Sequence, residues 1–162
     1  MKRQELQAEY DRLKAQLKIL KESVGSAPDE LISLGCQQLC VSICGSLEQV
    51  LKQIFVSYGR IHSSDRIHRP ISKVCGSYQN PKSAKILELV GLFDDDFERL
   101  LRREWEGDSE NERDYINNLV DDRITIAHRT KVHHTVSAGK LSNYLSAYQS
   151  VTTKIFNHFL PN

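Results

Sequence analysis

The segment from Leu31 to Val56 constrains the fold most, because apolar residues occupy nearly every side of it when it is drawn as a helix. A helix that is apolar all round lies at the centre of a helical protein, where other helices cover it. Pro28 precedes the segment and suits the first turn of a helix, and Gly59 follows it as a helix-ending residue. The pattern therefore predicts a central helix from Pro28 to about Tyr58.

Three further segments have the apolar spacing of amphipathic helices, and we see no strand-like alternation. These segments cover about 1–24, 110–127 and 137–159. Shorter apolar groups follow Pro81-Lys82-Ser83 and indicate short helices up to about Trp105. With 162 residues, the chain is predicted to form one domain over 1–162. The fold class is all-α: an antiparallel four-helix bundle with short helices inserted between the second and third long helices.

The stretch from about Arg60 to Asn80 shows no helical periodicity, and we predict a basic loop there. Asp65 is its one acidic residue, whereas its basic residues are Arg60, His62, Arg66, His68, Arg69 and Lys73. Two interpretations stay open. The stretch is a solvated connector, or it is a loop that contacts phosphate groups, because local Lys and Arg density drives affinity for nucleic acids.

The charge balance and the N-terminus bear on partners and location. The formal net charge is +1, so the whole chain is not a nucleic-acid-binding polycation and any such site must be a local patch. No uninterrupted apolar run approaches the roughly 18–20 residues that span a bilayer. The chain starts with charged residues and has no apolar signal-peptide core. We therefore predict a cytoplasmic protein with no membrane partner.

The four cysteines are predicted to be free, buried thiols. Cys36, Cys40 and Cys44 recur every four residues, so they lie along one side of a helix, and Cys75 stands apart. There is no Cys-x-x-Cys pair or other group of converging ligands. We predict neither a metal site nor a cofactor.

Two charged residues interrupt apolar helical stripes. Glu48 falls within the stripe of the second helix, and Arg123 falls within that of the third. A buried charge without a partner is costly, so we predict that Glu48 and Arg123 meet inside the protein. The alternative is that both lie at the margins of their helices and face water.

Arg123 and His128 are candidate catalytic residues. Histidine can move protons near neutral pH, and arginine can hold a phosphate through its planar fork. Together they suffice for phosphodiester cleavage without a metal. Five residues at about 100° each place His128 roughly 140° around a helix from Arg123. The two side chains therefore line one concave site only if the helix loosens near His128.

The segment from Asn118 to Arg129, in which four residues separate Arg123 from His128, resembles the signature of the HEPN superfamily. That signature is an Arg, four to six residues and a His, late in the third helix of a four-helix bundle. The sequence around Glu48 is similar to the second helix of the same superfamily. The stretch 80–97 resembles the inserted short helices of its RiboL-PSP-like branch.

The resemblance implies a metal-independent endoribonuclease in a defence, toxin–antitoxin or RNA-processing setting. It implies a homodimer or pseudo-dimer with two facing Arg–His motifs, RNA as substrate, and an antitoxin or other protein as a further partner. Arg123 would bind the scissile phosphate, His128 would act as acid or base while the ribose 2′-hydroxyl attacks, and Glu48 or Asp122 would orient Arg123. Ile124 stands where many active members have a polar residue. The alternative is therefore a non-catalytic helical module that binds RNA or protein.

A basic turn follows the motif. Its candidate RNA-binding residues are Arg129, Lys131, His133 and His134. A solvated turn and a contact with the substrate backbone are both open interpretations, the second because of the position of the turn beside the candidate site.

Overall fold

The protein is all-α in a computed structural model that describes residues 1–107, 109–128 and 135–160, apart from the side chains of residues 65 and 67. These residues form seven helices and no strand, which confirms the prediction that the protein is all-α. The helices are α1 (Arg3–Ser23), α2 (Asp29–His62), α3 (Asp65–Gly76), α4 (Ser83–Gly91), α5 (Asp95–Glu106), α6 (Glu110–His128) and α7 (Ala138–Phe159).

Helix α2 is the central element, as predicted. It contacts α1, α3, α6 and α7. By length and composition α2 could cross a membrane. It was not found as an uninterrupted apolar run in the sequence because polar residues are scattered along it. However, 61% of its most apolar window is buried inside the protein, which is the pattern of a core helix in a soluble protein.

Helices α2 and α7 run side by side in the same direction. Near their middles, the hydroxyl groups of Ser46 and Tyr148 are hydrogen-bonded at 3.0 Å. Farther along both helices, the rings of Phe55 and Phe159 lie 4.9 Å apart between centroids. Residue numbers thus increase together along the two helices.

Helix α6 runs in the opposite direction to α7. Lys154 donates to Glu112 near the start of α6, and Tyr144 donates to Asp122 near its end. Because α2 and α7 are parallel, α6 is also antiparallel to α2. The C-terminal end of α6, at His128, therefore lies at the end of the molecule where α2 begins.

The prediction of a basic loop at 60–80 is wrong over most of that stretch, because residues 65–76 form helix α3. Pro70 lies inside this helix and removes one backbone donor, which is why the sequence reads as broken there. Among the described side chains of α3, Cys75 is buried in the hydrophobic core, and Ile71 is partly buried and packs against that core.

The sequence had indicated that α2 ends at Gly59, but the helix continues to His62. Gly59 instead lets α3 approach closely. A Cβ atom at Gly59 would lie 3.0 Å from the side chain of Ile71, closer than such atoms normally approach. Glycine at this position is therefore explained by packing between helices.

All four cysteines are free and buried, which confirms the prediction of structural thiols. Burial raises the pKa of Cys40 and of Cys44 to about 12, so little reactive thiolate forms on either. We expect iodoacetamide to leave both residues unmodified in the native protein and to alkylate them after denaturation. Mass spectrometry of the two samples checks this, and rapid native alkylation of Cys40 or Cys44 would contradict the packing.

Candidate functional site

Arg123 is half-buried on α6 and is held by a residue from a different part of the chain. Its Nη1 atom donates a hydrogen bond to Oδ1 of Asn80 at 3.3 Å. A guanidinium group has five N–H donors in a fixed planar fork. The contact with Asn80 therefore orients Arg123 and leaves other donors for a ligand.

Asn80 is itself fixed by Glu48. The backbone N–H of Asn80 donates to Oε1 of Glu48 at 2.8 Å. Asn80 has φ 53°, in the left-handed region that asparagine tolerates better than most residues. In this conformation its backbone faces the α2 carboxylate while its side chain reaches Arg123 on α6.

Glu48 and Arg123 thus meet at Asn80 and do not form a direct ion pair. Glu48 is buried, with 8% of its surface exposed, whereas Arg123 is only half-buried. The two charges nevertheless both act on the thiol of Cys44. Burial is the main cause of the raised pKa of Cys44, to which Glu48 adds and which Arg123 opposes. At the centre of the candidate site, Asn80 therefore lies between Glu48 and Arg123.

The turn that contains Asn80 is attached to α6 by two further contacts. Lys82 pairs with Asp121, with Nζ and Oδ1 2.6 Å apart. The backbone N–H of Ser83 donates to Oδ1 of Asn117 at 2.9 Å, which satisfies a donor in the first turn of α4. These contacts fix the turn on the same helix that carries Arg123.

Asp122, predicted as a second supporting residue, has described contacts with α7. It is buried, accepts a hydrogen bond from the Tyr144 hydroxyl at 2.6 Å and lies 2.8 Å from Nζ of Lys140. Burial and this hydrogen bond raise the pKa of Tyr144. These contacts stabilise the packing of α6 on α7 beside the site.

His128 is the last residue of α6 and is exposed. Arg123 and His128 do not form a buried pair, since Arg123 is half-buried and His128 is exposed. The helix is continuous through His128, so its side chain stays about 140° around α6 from Arg123. The other predicted RNA-binding residues, Arg129, Lys131, His133 and His134, lie outside the described residues.

Two polar residues near Glu48 were not among the predicted site residues. One is Asn80, whose role depends on partners 32 and 43 residues away in the chain. The other is Tyr78, whose buried hydroxyl has no hydrogen-bond partner among the described residues. Burial, and secondarily the charge of Glu48, raises the pKa of Tyr78. A polar Asn-Pro turn beside a helix start is the signal that could have pointed to Asn80.

Replacing Glu48 tests the contact with Asn80. We expect Glu48→Ala to lower the free energy of unfolding by about 1.5–3 kcal/mol, because the N–H of Asn80 loses a charged acceptor. Glu48→Gln keeps an oxygen acceptor and should cost about half as much. Urea denaturation of the two variants checks this order. Equal stability of Glu48→Ala and the unchanged protein would show that the contact contributes nothing.

Comparisons of this chain with models of protein families, with curated proteins and with solved structures find no match. Within the described part of the chain, no group of three or more His, Cys, Asp and Glu side chains is placed to hold a metal ion.

Proposed function

We propose that this chain is a HEPN-like endoribonuclease that cleaves RNA without a metal ion. The observation that supports the proposal best is the arrangement of Arg123, which is oriented by Asn80 and keeps free donors beside solvent. Such a positioned guanidinium suits the charge that develops on a phosphate during cleavage. The proposed fold within the all-α class is an antiparallel four-helix bundle of α1, α2, α6 and α7, with α3, α4 and α5 inserted.

The proposed reaction needs only groups of the RNA and of the protein. The ribose 2′-hydroxyl attacks the neighbouring phosphorus and loses its proton to a general base. The bond from phosphorus to the 5′-oxygen breaks, and a general acid protonates that oxygen. The products are a 2′,3′-cyclic phosphate and a 5′-hydroxyl. Arg123 binds the non-bridging oxygens, and His128 supplies a proton-transfer step.

A homodimer is part of the proposal. In one chain, Arg123 and His128 point in directions about 140° apart, so one chain does not focus both on a single phosphate. A second copy would supply another histidine and allow one to act as base and the other as acid. Exposed apolar side chains at the start of α2, Leu31 (60% exposed) and Leu34 (62% exposed), lie at the end of the molecule where α6 ends. They are suited to an interface.

The second candidate function is a helical module that binds RNA or a protein, such as an antitoxin, without cleavage. One observation favours it: His128 has no hydrogen bond to any described residue. Histidines that transfer protons in active sites are commonly held in one tautomer by a partner of the other ring nitrogen. Both functions fit the cytoplasmic location that we propose.

Cleavage in the presence of a chelator distinguishes the two candidates. Purified protein is incubated with structured and single-stranded RNA in excess EDTA, beside a matched His128→Ala preparation. The nuclease proposal predicts chelator-resistant cleavage that is lost with His128→Ala. Binding of RNA without cleavage by a folded dimer would favour the binding module. Cleavage by both preparations alike would indicate a contaminating nuclease.

A further inference from the structure

Helix α3 has two opposite faces. On one face, Ile71 and Cys75 pack on α2. On the other, Arg66, Arg69 and Lys73 are exposed. Their spacing of three and four residues places them on one side of the helix, about 180° from the packed side. We refer to Arg66, Arg69 and Lys73 as the α3 cationic face.

The α3 cationic face is not neutralised by the rest of the described chain. None of its three residues has an ion pair or a hydrogen bond with a described residue. Other basic residues of the described chain lie within 4.0 Å of a carboxylate oxygen, and these are Arg12, Lys18, Lys82, Arg99, Arg102, Arg113, Lys140 and Lys154. Some cations elsewhere, such as Lys14, Lys21 and Arg60, also have no such pair with a described residue. Helix α3 differs in carrying three unpaired cations on one side, on a chain whose net charge is only +1.

One end of the α3 cationic face lies nearer to the candidate site than the other. Helix α3 runs back along α2, because Ile71 lies against Gly59 and Cys75, farther along α3, lies near Lys52. Burial raises the pKa of Cys75, and the nearby charge of Lys52 partly opposes this. Lys52 is one helical turn from Glu48, which holds Asn80. The Lys73 end of the α3 cationic face is thus the end nearer to Arg123.

We propose that the α3 cationic face binds the phosphodiester backbone of single-stranded RNA and guides it to Arg123. The inference rests on the proposed function, since it assigns the docking surface for the same substrate. The three cations span about 10 Å along the helix, which is close to one Debye length at 0.1 M salt, so they act together on a polyanion. Each phosphate that they neutralise releases counterions and strengthens binding.

Binding is tested in a His128→Ala background, which prevents cleavage. The variant Arg66→Gln/Arg69→Gln/Lys73→Gln is compared with Lys14→Gln/Lys18→Gln/Lys21→Gln. The second variant removes the same number of exposed charges from α1, which contacts neither α3 nor α6. Fluorescence anisotropy gives the affinity for a labelled single-stranded RNA over a range of salt concentrations.

We expect the α3 variant to bind about tenfold or more weakly at low salt, with the slope of log K against log salt reduced by roughly 2, or about 0.7 per lost phosphate contact. The α1 variant should bind as the parent does. Circular dichroism should show equal helix content, because all the replaced side chains are exposed. Equal loss of affinity in both variants, or an unchanged slope in the α3 variant, would overturn the inference. Binding of α3 to anionic vesicles in preference to RNA would overturn it too.

Cleavage by the otherwise unchanged chain separates this inference from the proposed function. The α3 variant should lose kcat/KM on a long single-stranded RNA and keep kcat, whereas its kcat/KM on a dinucleotide should not change. Normal cleavage of the long RNA by the α3 variant would contradict the docking surface and leave the nuclease proposal standing. If the unchanged chain cleaves no RNA, the nuclease proposal fails, and the binding measurement still decides what α3 binds.

Discussion

His128→Ala is expected to lower the rate of RNA cleavage by about 10²–10⁴, the usual contribution of a general acid–base group. The effect should be confined to chemistry. His128 is exposed at the end of α6 and has no hydrogen bond or ion pair with a described residue, so its removal should change the free energy of unfolding by less than about 0.5 kcal/mol. Single-turnover cleavage in excess chelator measures the rate, and thermal unfolding checks the fold.

Thr125→Ala is the matched control for this variant. Thr125 lies three residues earlier on α6, and its hydroxyl donates only to the backbone oxygen of Asp121 in the described structure. The Thr125→Ala substitution removes a polar side chain from the same end of α6 and leaves both proposed catalytic groups in place. The cleavage rate of this variant should therefore equal that of the unchanged chain. Undiminished cleavage by His128→Ala would exclude the proposed mechanism, even if Thr125→Ala behaves as expected.

Arg123→Ala is expected to lower the cleavage rate by about 10²–10³, comparable to the loss of one positioned donor to a developing oxyanion. Arg123→Lys should restore little of this activity. Lysine keeps the positive charge but lacks the planar fork that both meets Asn80 and holds a phosphate. Rates under saturating RNA measure the loss in the chemical step.

The free energy of unfolding of both Arg123 variants should be measured, to show that any loss of cleavage is not caused by unfolding. Loss of the Arg123 side chain removes one hydrogen bond from Asn80, at a cost of about 1 kcal/mol, so both variants should remain folded. A folded Arg123→Lys variant that cleaves as fast as the unchanged chain would show that charge alone suffices. Unchanged rates in both variants would contradict the assigned role of Arg123.

The long helices could be predicted from sequence because their apolar residues recur with the helical period. The buried side chains of α2, among them Ile43, Leu47 and Leu51, recur with the helical period, as do those of α7. Helix α3 was missed although Ile67, Ile71 and Cys75 recur every four residues, as on one side of a helix. Pro70, inside the helix, and the many basic residues around it suggested a loop instead.

The centre of the candidate site was predictable only in part. The apolar stripes around Glu48 and Arg123 show that two charges approach the core from different helices. They do not show what lies between the charges. Asn80 enters that position because a turn with φ 53° brings its backbone to α2 and its side chain to α6. Such a contact depends on how distant parts of the chain pack together, and this cannot be read from the spacing of residues along one helix.

The relation of His128 to Arg123 has a consequence for assembly. Because α6 remains helical through His128, local unwinding does not bring the two side chains together in the described structure. The proposed nuclease therefore depends on a second chain. Mixing Arg123→Ala and His128→Ala chains tests this dependence. A mixed dimer keeps one Arg123 and one His128, on different chains. If these two act together across the interface, the mixture should cleave faster than either variant alone, and more slowly than the unchanged dimer, which has both histidines.

The most direct test of the central claim is the chemistry of the RNA ends. An RNA that the protein cleaves is prepared again with a single 2′-deoxy nucleotide at the cleavage position, and both are incubated with the protein in excess chelator. Mass spectrometry should find a 2′,3′-cyclic phosphate from the unmodified RNA and no cleavage at the 2′-deoxy position, because attack by the neighbouring hydroxyl is impossible there. Cleavage at the 2′-deoxy position, or loss of all cleavage in chelator, would contradict the account.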